Sequence, residues 1–439
     1  MDIKRETYLN NLISKMNNGL IKIITGLRRC GKSYLLFNQF YNYLINFGVK
    51  KDHIITFAFD TDDDLDKLDD YFNEQPTKKY DRSSRIYLIN SKKFRAYIKE
   101  KIKDEGKYYI LLDEIQLLDD FVGTLNGFLK NSNLDVYVTG SNSHLLSSDI
   151  ITTFRGRGDQ IKLHPLSFEE FYNIPGNNNF DKAFEEYSYF GGMPLVVLMK
   201  LEKHKSEYLK NLFEEIYIKD IIERRGINNK DSFGRLINIL ASSIGSFTSP
   251  YNIENTFKSK LNIVYGHETI KNHIDYLKDS FLISEVNRYD VKGRKYIEAK
   301  QKYYFTDVGL RNARLNFREQ EPPHIMENII YNELIIRGYN VDVGVVEISE
   351  QNNNGNYVRK QLEVDFVCNF ESKKYYIQSS YSLDSLDKIK QEEKSLLNIK
   401  DSFKKIIIVR DNFKYYRLDS GILIISLKDF LLNKNSLDF

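Results

Sequence analysis

The run Leu20-Ile21-Lys22-Ile23-Ile24-Thr25 leads into Gly26-Leu27-Arg28-Arg29-Cys30-Gly31-Lys32-Ser33, and Tyr34-Leu35-Leu36-Phe37 follows. An apolar run of strand length thus precedes the central segment and an amphipathic helical pattern follows it. The segment fits G-x-x-x-x-G-K-[ST] at every position, and a strand before it with a helix after it is the context that confirms such a match. The chemistry explains the spacing. Backbone N–H groups must wrap phosphate oxygens without obstruction by Cβ, and the helix N-terminus adds a favourable dipole. Residues Gly26 to Ser33 are therefore expected to cradle ATP, with Lys32 reaching the β and γ phosphates and Ser33 ligating Mg²⁺.

Working outward, Ile54 to Phe59, Tyr108 to Leu112, Val136 to Thr139 and Gln160 to Leu163 also read as buried strands, separated by helical patterns. That alternation predicts a parallel α/β sheet. The strand Tyr109-Ile110-Leu111-Leu112 ends in Asp113-Glu114, placing two carboxylates where a phosphate-loop protein needs them. Asp113 suits the Mg²⁺ shell and Glu114 suits polarisation of the attacking water. The strand ending Thr139-Gly140-Ser141-Asn142 offers Asn142 or Ser141 as a sensor of the γ-phosphate. Arg155-Gly156-Arg157 then offers an arginine that could stabilise charge developing on the transferred phosphoryl group, Arg157 ahead of Arg155.

Composition bounds the rest. The 439 residues suffice for two to four domains, and 41% hydrophobic with 28% charged residues describes a folded chain rather than a disordered one. Lys+Arg 64 against Asp+Glu 61 leaves a formal charge of +3, so nucleic acid could bind only through a local basic patch. Two cysteines, Cys30 and Cys368, fall in unrelated segments and exclude a disulfide framework. The seven histidines lack zinc-helix spacing. Asp60-Thr61-Asp62-Asp63-Asp64 starts like a calcium loop, but Leu65 replaces its turn glycine and Tyr71 its bidentate glutamate, so it reads as a solvated acidic face. No export signal or apolar run of membrane-spanning length is visible, which predicts a cytoplasmic protein with no membrane partner.

The expected organisation is a nucleotide-binding α/β domain over 1–166, a helical lid or linker over 167–232, a winged helix over 233–320 and a small α/β domain over 321–439. The third region rests on three helical patterns followed by strands near Leu282 to Arg288 and Lys295 to Ala299. Lys271, Asn272 and Lys278 on its last helix, with Lys292, Arg294 and Lys295 on the wing, suit duplex DNA phosphates. Asp275 and Asp279 dilute that charge, so a protein client stays open as the alternative.

Taken together, GLRRCGKS (26–33), DEIQ (113–116), TGSNS (139–143), Gly156-Arg157 and PLSF (165–168) resemble the motifs of archaeal and bacterial ATPases of the AAA superfamily. YFGGMP (189–194) and YIKDII (217–222) look like that family's linker, so the resemblance spans nearly the whole chain. It implies a P-loop NTPase fold, ATP binding and hydrolysis, and an Arg157 presented to the neighbouring subunit of a homo-oligomer. The C-terminal region resembles PD-(D/E)xK nucleases through Glu327, Asp365 and the strand holding Gln378 and Ser380. There Gln378 stands in place of a carboxylate and Ser380 in place of the lysine, so a retained fold without cleavage is expected. Three readings follow: Mg-dependent ATP hydrolysis driving a switch or motor on DNA or a DNA-bound partner, a non-turnover ATP-dependent interaction module, and an ATP-gated nuclease.

Overall fold

Five apolar runs form one parallel sheet: β1 (Ile21–Gly26), β2 (Ile54–Ala58), β5 (Tyr108–Asp113), β6 (Leu134–Thr139) and β7 (Gly158–Leu163), in the order β2-β5-β6-β1-β7. The computed structural model describes residues 3–82, 86–140, 154, 156–318, 320–351 and 356–439. Contacts divide the chain into two units, one of Met1–Pro165 with Glu223–Gly226 and Asp279–Phe281, the other containing the rest from Leu166 to Phe439.

In the first unit every residue of β1, β5 and β6 is buried, as expected where both faces of a parallel sheet are covered. Phe57, Phe59, Phe94 and Phe128 pack among Ile110, Leu112, Val136 and Val138. Because the strands run parallel, the loops at their carboxyl ends gather on one edge, where open α/β sheets bind ligands. One feature was absent from the sequence reading: β3 (Lys78–Asp81) and β4 (Ile86–Ile89) form a separate antiparallel pair.

The second unit begins with helices. Ser167 and Glu170 form a reciprocal cap on the helix Phe168–Tyr172. The helix Phe180–Phe190 then ends at Gly191-Gly192, whose conformation is fixed from far along the chain. Asp307 accepts the Gly192 N–H (2.7 Å) and the Leu310 N–H (2.9 Å), capping the helix Val308–Arg314 at the same time. A Cβ on Gly191 would lie 2.3 Å from the Asp307 carboxylate, so glycine is required there.

Helices Lys230–Ser242, Pro250–Thr256 and His267–Asp279 precede the antiparallel pair β8 (Ile283–Asp290) and β9 (Lys295–Phe305). After the helix Pro322–Ile336 come β10 (Asn340–Gln351), β11 (Tyr357–Phe370), β12 (Lys373–Ser380), β13 (Lys404–Val409), β14 (Tyr416–Arg417) and β15 (Leu423–Ser426). All eight strands belong to one sheet, ordered β14-β15-β13-β12-β11-β10-β8-β9. The sheet therefore runs across the boundary expected at 320–321, because Val343–Val345 of β10 pairs parallel with Arg288–Asp290 of β8. Val291, at the turn after β8, is buried with Val346, Val364 and Ile424. The turn between β8 and β9 lies against β10, and Lys292 donates to the Glu347 carbonyl.

Candidate nucleotide site

Backbone geometry at the end of β1 selects the two glycines of the loop. Gly26 has φ +140° and a Cβ there would sit 2.1 Å from the Leu163 carbonyl oxygen; Gly31 has φ +100°. Both lie in the region that L side chains rarely adopt. Arg29 also adopts a left-handed conformation, φ +63°, and both Arg28 and Arg29 are exposed. Leu27 and Cys30 point inward, and the Cys30 Sγ lies 3.6 Å from the Leu163 carbonyl. Burial raises the Cys30 thiol pKa, so this cysteine packs the loop as a neutral group. Arg5, which the sequence reading passed over, braces the loop from behind: its guanidinium donates to the carbonyls of Cys30 (3.2 Å) and His164 (2.7 Å).

A helix over 32–46 starts at Lys32. The Lys32 side chain is 5% exposed and its Nζ donates to the carbonyls of Gly26 (3.2 Å) and Leu27 (3.0 Å). Those neutral acceptors can be exchanged for phosphate oxygens without breaking an ion pair. Ser33 is exposed at the mouth of the loop.

β5 and β6 carry Asp113 and Thr139 to the same edge, and the Thr139 hydroxyl donates to the Asp113 carboxylate. Burial pushes the Asp113 carboxyl up and the charges of Glu114 and Asp60 add to this, while hydrogen bonds from Ser33 and Thr139 pull it down. A cation beside it would relieve both the burial and the repulsion, which fits a Mg²⁺-shell role for Ser33 and Asp113. Glu114 is left-handed at φ +51°, its N–H donating to Thr139 Oγ1 (3.4 Å), and its carboxylate accepts the Gln116 amide. That strained turn aims the second carboxylate differently from the first.

Asp60 joins them. Ala58 of β2 stands opposite Asp113, and the Phe59 N–H donates to the Asp113 carbonyl (3.1 Å), which brings the next residue beside the end of β5. Burial and the Glu114 charge raise the Asp60 carboxyl, with Arg28 opposing. Asp60 and the three residues after it are exposed, as a solvated acidic face requires, and its place after a buried strand also brings it within reach of the Glu114 charge.

Arg157 lies elsewhere. It precedes β7, its carbonyl accepts the Ile21 N–H (2.9 Å), and its guanidinium donates to Asn126 (3.5 Å). β1 and β7 run parallel from Ile21 opposite Gly158 to Gly26 opposite Leu163, so Arg157 sits at the opposite edge from the phosphate loop. Five strand residues separate those edges by ~17 Å. Ser141, Asn142 and Arg155 lie outside the described residues.

In the second unit, Glu327 and Asp365 are buried close together. Gln378 accepts the Asp365 N–H through Oε1 (3.4 Å), and the Ser380 hydroxyl donates to the Ser382 carbonyl (2.9 Å). Lys302, absent from the sequence reading, lies beside both acids. Among the described residues no three His, Cys, Asp or Glu side chains are arranged to hold a metal ion, and no helix is long and apolar enough to cross a membrane.

Residues 18–172 match the AAA domain family model, and residues 181–321 match a domain of unknown function, DUF8612. An uncharacterized protein of Haemophilus influenzae is 32% identical over 435 residues, covering 98% of each chain. Another from Methanocaldococcus jannaschii is 31% identical over 416 residues, covering 90% of this chain and 83% of that one. Residues 18–172 thus form an AAA-like domain on a parallel α/β sheet with a P-loop, followed by a C-terminal mixed sheet. The chain belongs to the family formed with these Haemophilus and Methanocaldococcus proteins. Similar solved structures include the Aeropyrum pernix ORC1 protein in complex with DNA (14% identity, TM-score 0.32, 72% of this chain and 92% of that one). AMPPCP-bound DnaA from Aquifex aeolicus is another (13%, TM-score 0.30, 62% and 86%). At such scores the likeness carries no argument about ligands.

Proposed function

We propose that the first unit binds ATP with Mg²⁺ and hydrolyses it to drive a switch or motor acting on DNA or a DNA-bound partner. The observation that carries the nucleotide reading is the loop itself, with Gly26 and Gly31 at positive φ and a buried Lys32 whose partners among the described residues are neutral carbonyls. Ser33 and Asp113 hold the metal, which neutralises charge on the phosphates. Glu114 orients and polarises the attacking water, and Asn142 senses the γ-phosphate. Arg157 serves the site of a neighbouring subunit, since its edge of the sheet is too far from its own loop for contact.

The DNA part of the reading is supported by the order of three helices and a hairpin over 233–320, a winged-helix arrangement, and by exposed Lys271, Asn272, Arg294 and Lys295. Two of the basic residues expected there are otherwise engaged: Lys278 pairs with Asp275 (2.9 Å) and Glu285 (2.6 Å), and Lys292 bonds the Glu347 carbonyl. The mixed sheet that joins β8 and β9 to the strands after residue 321 serves as a nuclease-like scaffold without cleavage chemistry.

Steady-state phosphate release tests the central claim. The wild type should turn over ATP with Mg²⁺, and Glu114→Gln should keep ATP affinity while losing ~100-fold or more of the rate, because it removes help needed only by the attacking water. A wild-type protein that binds ATP without phosphate release, with DNA present or absent, would leave the non-turnover interaction module in its place.

A further inference from the structure

In the second unit, side chains from three elements close on one buried point. Lys302 and Tyr304, two apart on β9, face the same way, as do Glu363 and Asp365 on β11. The helix Pro322–Ile336 adds Glu327. The Lys302 Nζ lies 2.7 Å from Glu327 Oε1, forms a hydrogen-bonded ion pair with Glu363 and lies 3.9 Å from Asp365 Oδ1. The Tyr304 hydroxyl donates to Glu327 Oε1 (2.5 Å), and the Ser379 N–H donates to Asp365 Oδ2 (2.8 Å). Lys302 itself is 2% exposed.

Two buried acids from separate elements, Glu327 and Asp365, with the half-buried Glu363 beside them, need positive charge among them. Divalent metal is one solution, and this chain carries another. We propose that the Lys302 ammonium is the resident cation of this centre, occupying the place a divalent ion would take, and that it clasps β9 to β11 and the helix Pro322–Ile336 without metal. The clasp has mechanical work to do: β9 reaches the sheet through β8, and β8 is paired with β10 over three residues only, Arg288 to Asp290.

Charge supports the assignment. Burial works against the Lys302 ammonium, but Glu327, Asp365 and Glu363 outweigh it and raise its pKa. Burial pushes Glu327 up, yet Lys302, His324 and Tyr304 hold it below the usual carboxylate range. Asp365 is driven well above its ordinary value by burial and the Glu327 charge, against the pull of Lys302. An incoming divalent ion would have to displace the ammonium from Glu327 and Glu363.

The test uses nucleotide-free full-length protein with Mn²⁺ followed by electron paramagnetic resonance, and melting in Mn²⁺ or EDTA. Wild type and Asp365→Asn should take up equally little Mn²⁺, with wild-type melting the same in either medium. Lys302→Met should melt lower in EDTA by about 5 °C or more, as expected when buried charges lose their partner. It should also gain one equivalent of Mn²⁺ that raises its melting temperature, and Lys302→Met/Asp365→Asn should lose that gain. Stoichiometric Mn²⁺ binding by wild type that Asp365→Asn abolishes would overturn the proposal and return the centre to metal chemistry. So would a folded Lys302→Met protein indifferent to Mn²⁺. If Lys302→Met does not fold, the wild-type and Asp365→Asn comparison decides alone.

Discussion

Lys32 and Lys302 are both buried lysines, 5% and 2% exposed, and their partners separate their roles. Lys32 rests on two backbone carbonyls of its own loop, whereas Lys302 is enclosed by carboxylates from two other elements. A lysine satisfied by neutral oxygens can transfer its hydrogen bonds to an incoming phosphate at little electrostatic cost. A lysine satisfied by buried anions cannot leave without exposing them. On the proposed readings, the same side chain at similar burial serves a ligand in one unit and structure in the other.

The largest expected effect falls on Lys32. Lys32→Ala should weaken ATP binding by ~100-fold or more, since it removes a contact to the β and γ phosphates. Its nucleotide-free melting temperature should move little, because only bonds to two carbonyls are lost. Calorimetric titration with ATP and a melt without it read the two halves separately. Unchanged ATP affinity would break the contrast with Lys302 and the nucleotide assignment together.

Next in size is the arginine at the far edge. Arg157→Ala should bind ATP and lose most of its turnover. Mixing it with Lys32→Ala should restore part of the rate, because Lys32→Ala subunits still present Arg157 while Arg157→Ala subunits keep an intact loop. No recovery in demonstrated mixed oligomers, or a protein that stays monomeric with ATP, would remove the shared-site reading.

A smaller effect is expected at the wing. Duplex DNA binding, measured by anisotropy, should weaken with salt through counterion release, and Arg294→Ala/Lys295→Ala should reduce the salt slope by about 2. Lys292→Ala should change it less, because its ammonium is already bonded to Glu347. Equal effects from all three would mean that the wing detaches from β10 when DNA binds.

The two lysines also differ in how much of their surroundings the sequence displays. Lys32 and its partners lie within eight consecutive residues, and Asp113 and Glu114 end an unmistakable apolar strand. Lys302 follows Lys300-Gln301, a polar run at which the sequence reading ended the strand at Ala299. The strand continues to Phe305, because Lys302 and Tyr304 are buried by pairing with Glu327 rather than by apolar character. Polar partnership between distant elements leaves no periodic trace. Asp60 differs: its acidic run is exposed as the sequence suggests, and only its nearness to Glu114 across the strand ends left no trace there. The boundary near 320 looked like a domain edge because Pro322-Pro323 begins a new helix, whereas β8 and β10 pair across it.

Asp307 sharpens the comparison from the opposite side, as a buried carboxylate with no lysine. It is held by backbone N–H groups of Gly192, Gly309 and Leu310, which oppose but do not overcome its burial, and its pKa rises to about 6. The sign follows from linkage. The folded state binds a proton more tightly than the unfolded chain, whose carboxyl titrates near 3.8, so this group's contribution to stability is greatest below that value and is lost as pH rises through about 6. Over that window the loss amounts to roughly 3 kcal/mol. Asp307→Asn should be less stable in absolute terms, because either its amide NH₂ or its oxygen must face the wrong partner between Gly192 and Leu310. The informative readout is therefore the slope: between pH 4 and pH 7 the melting curve of the wild type should fall relative to that of Asp307→Asn. Parallel curves would mean that three backbone donors suffice to keep a buried carboxylate ionised without a lysine.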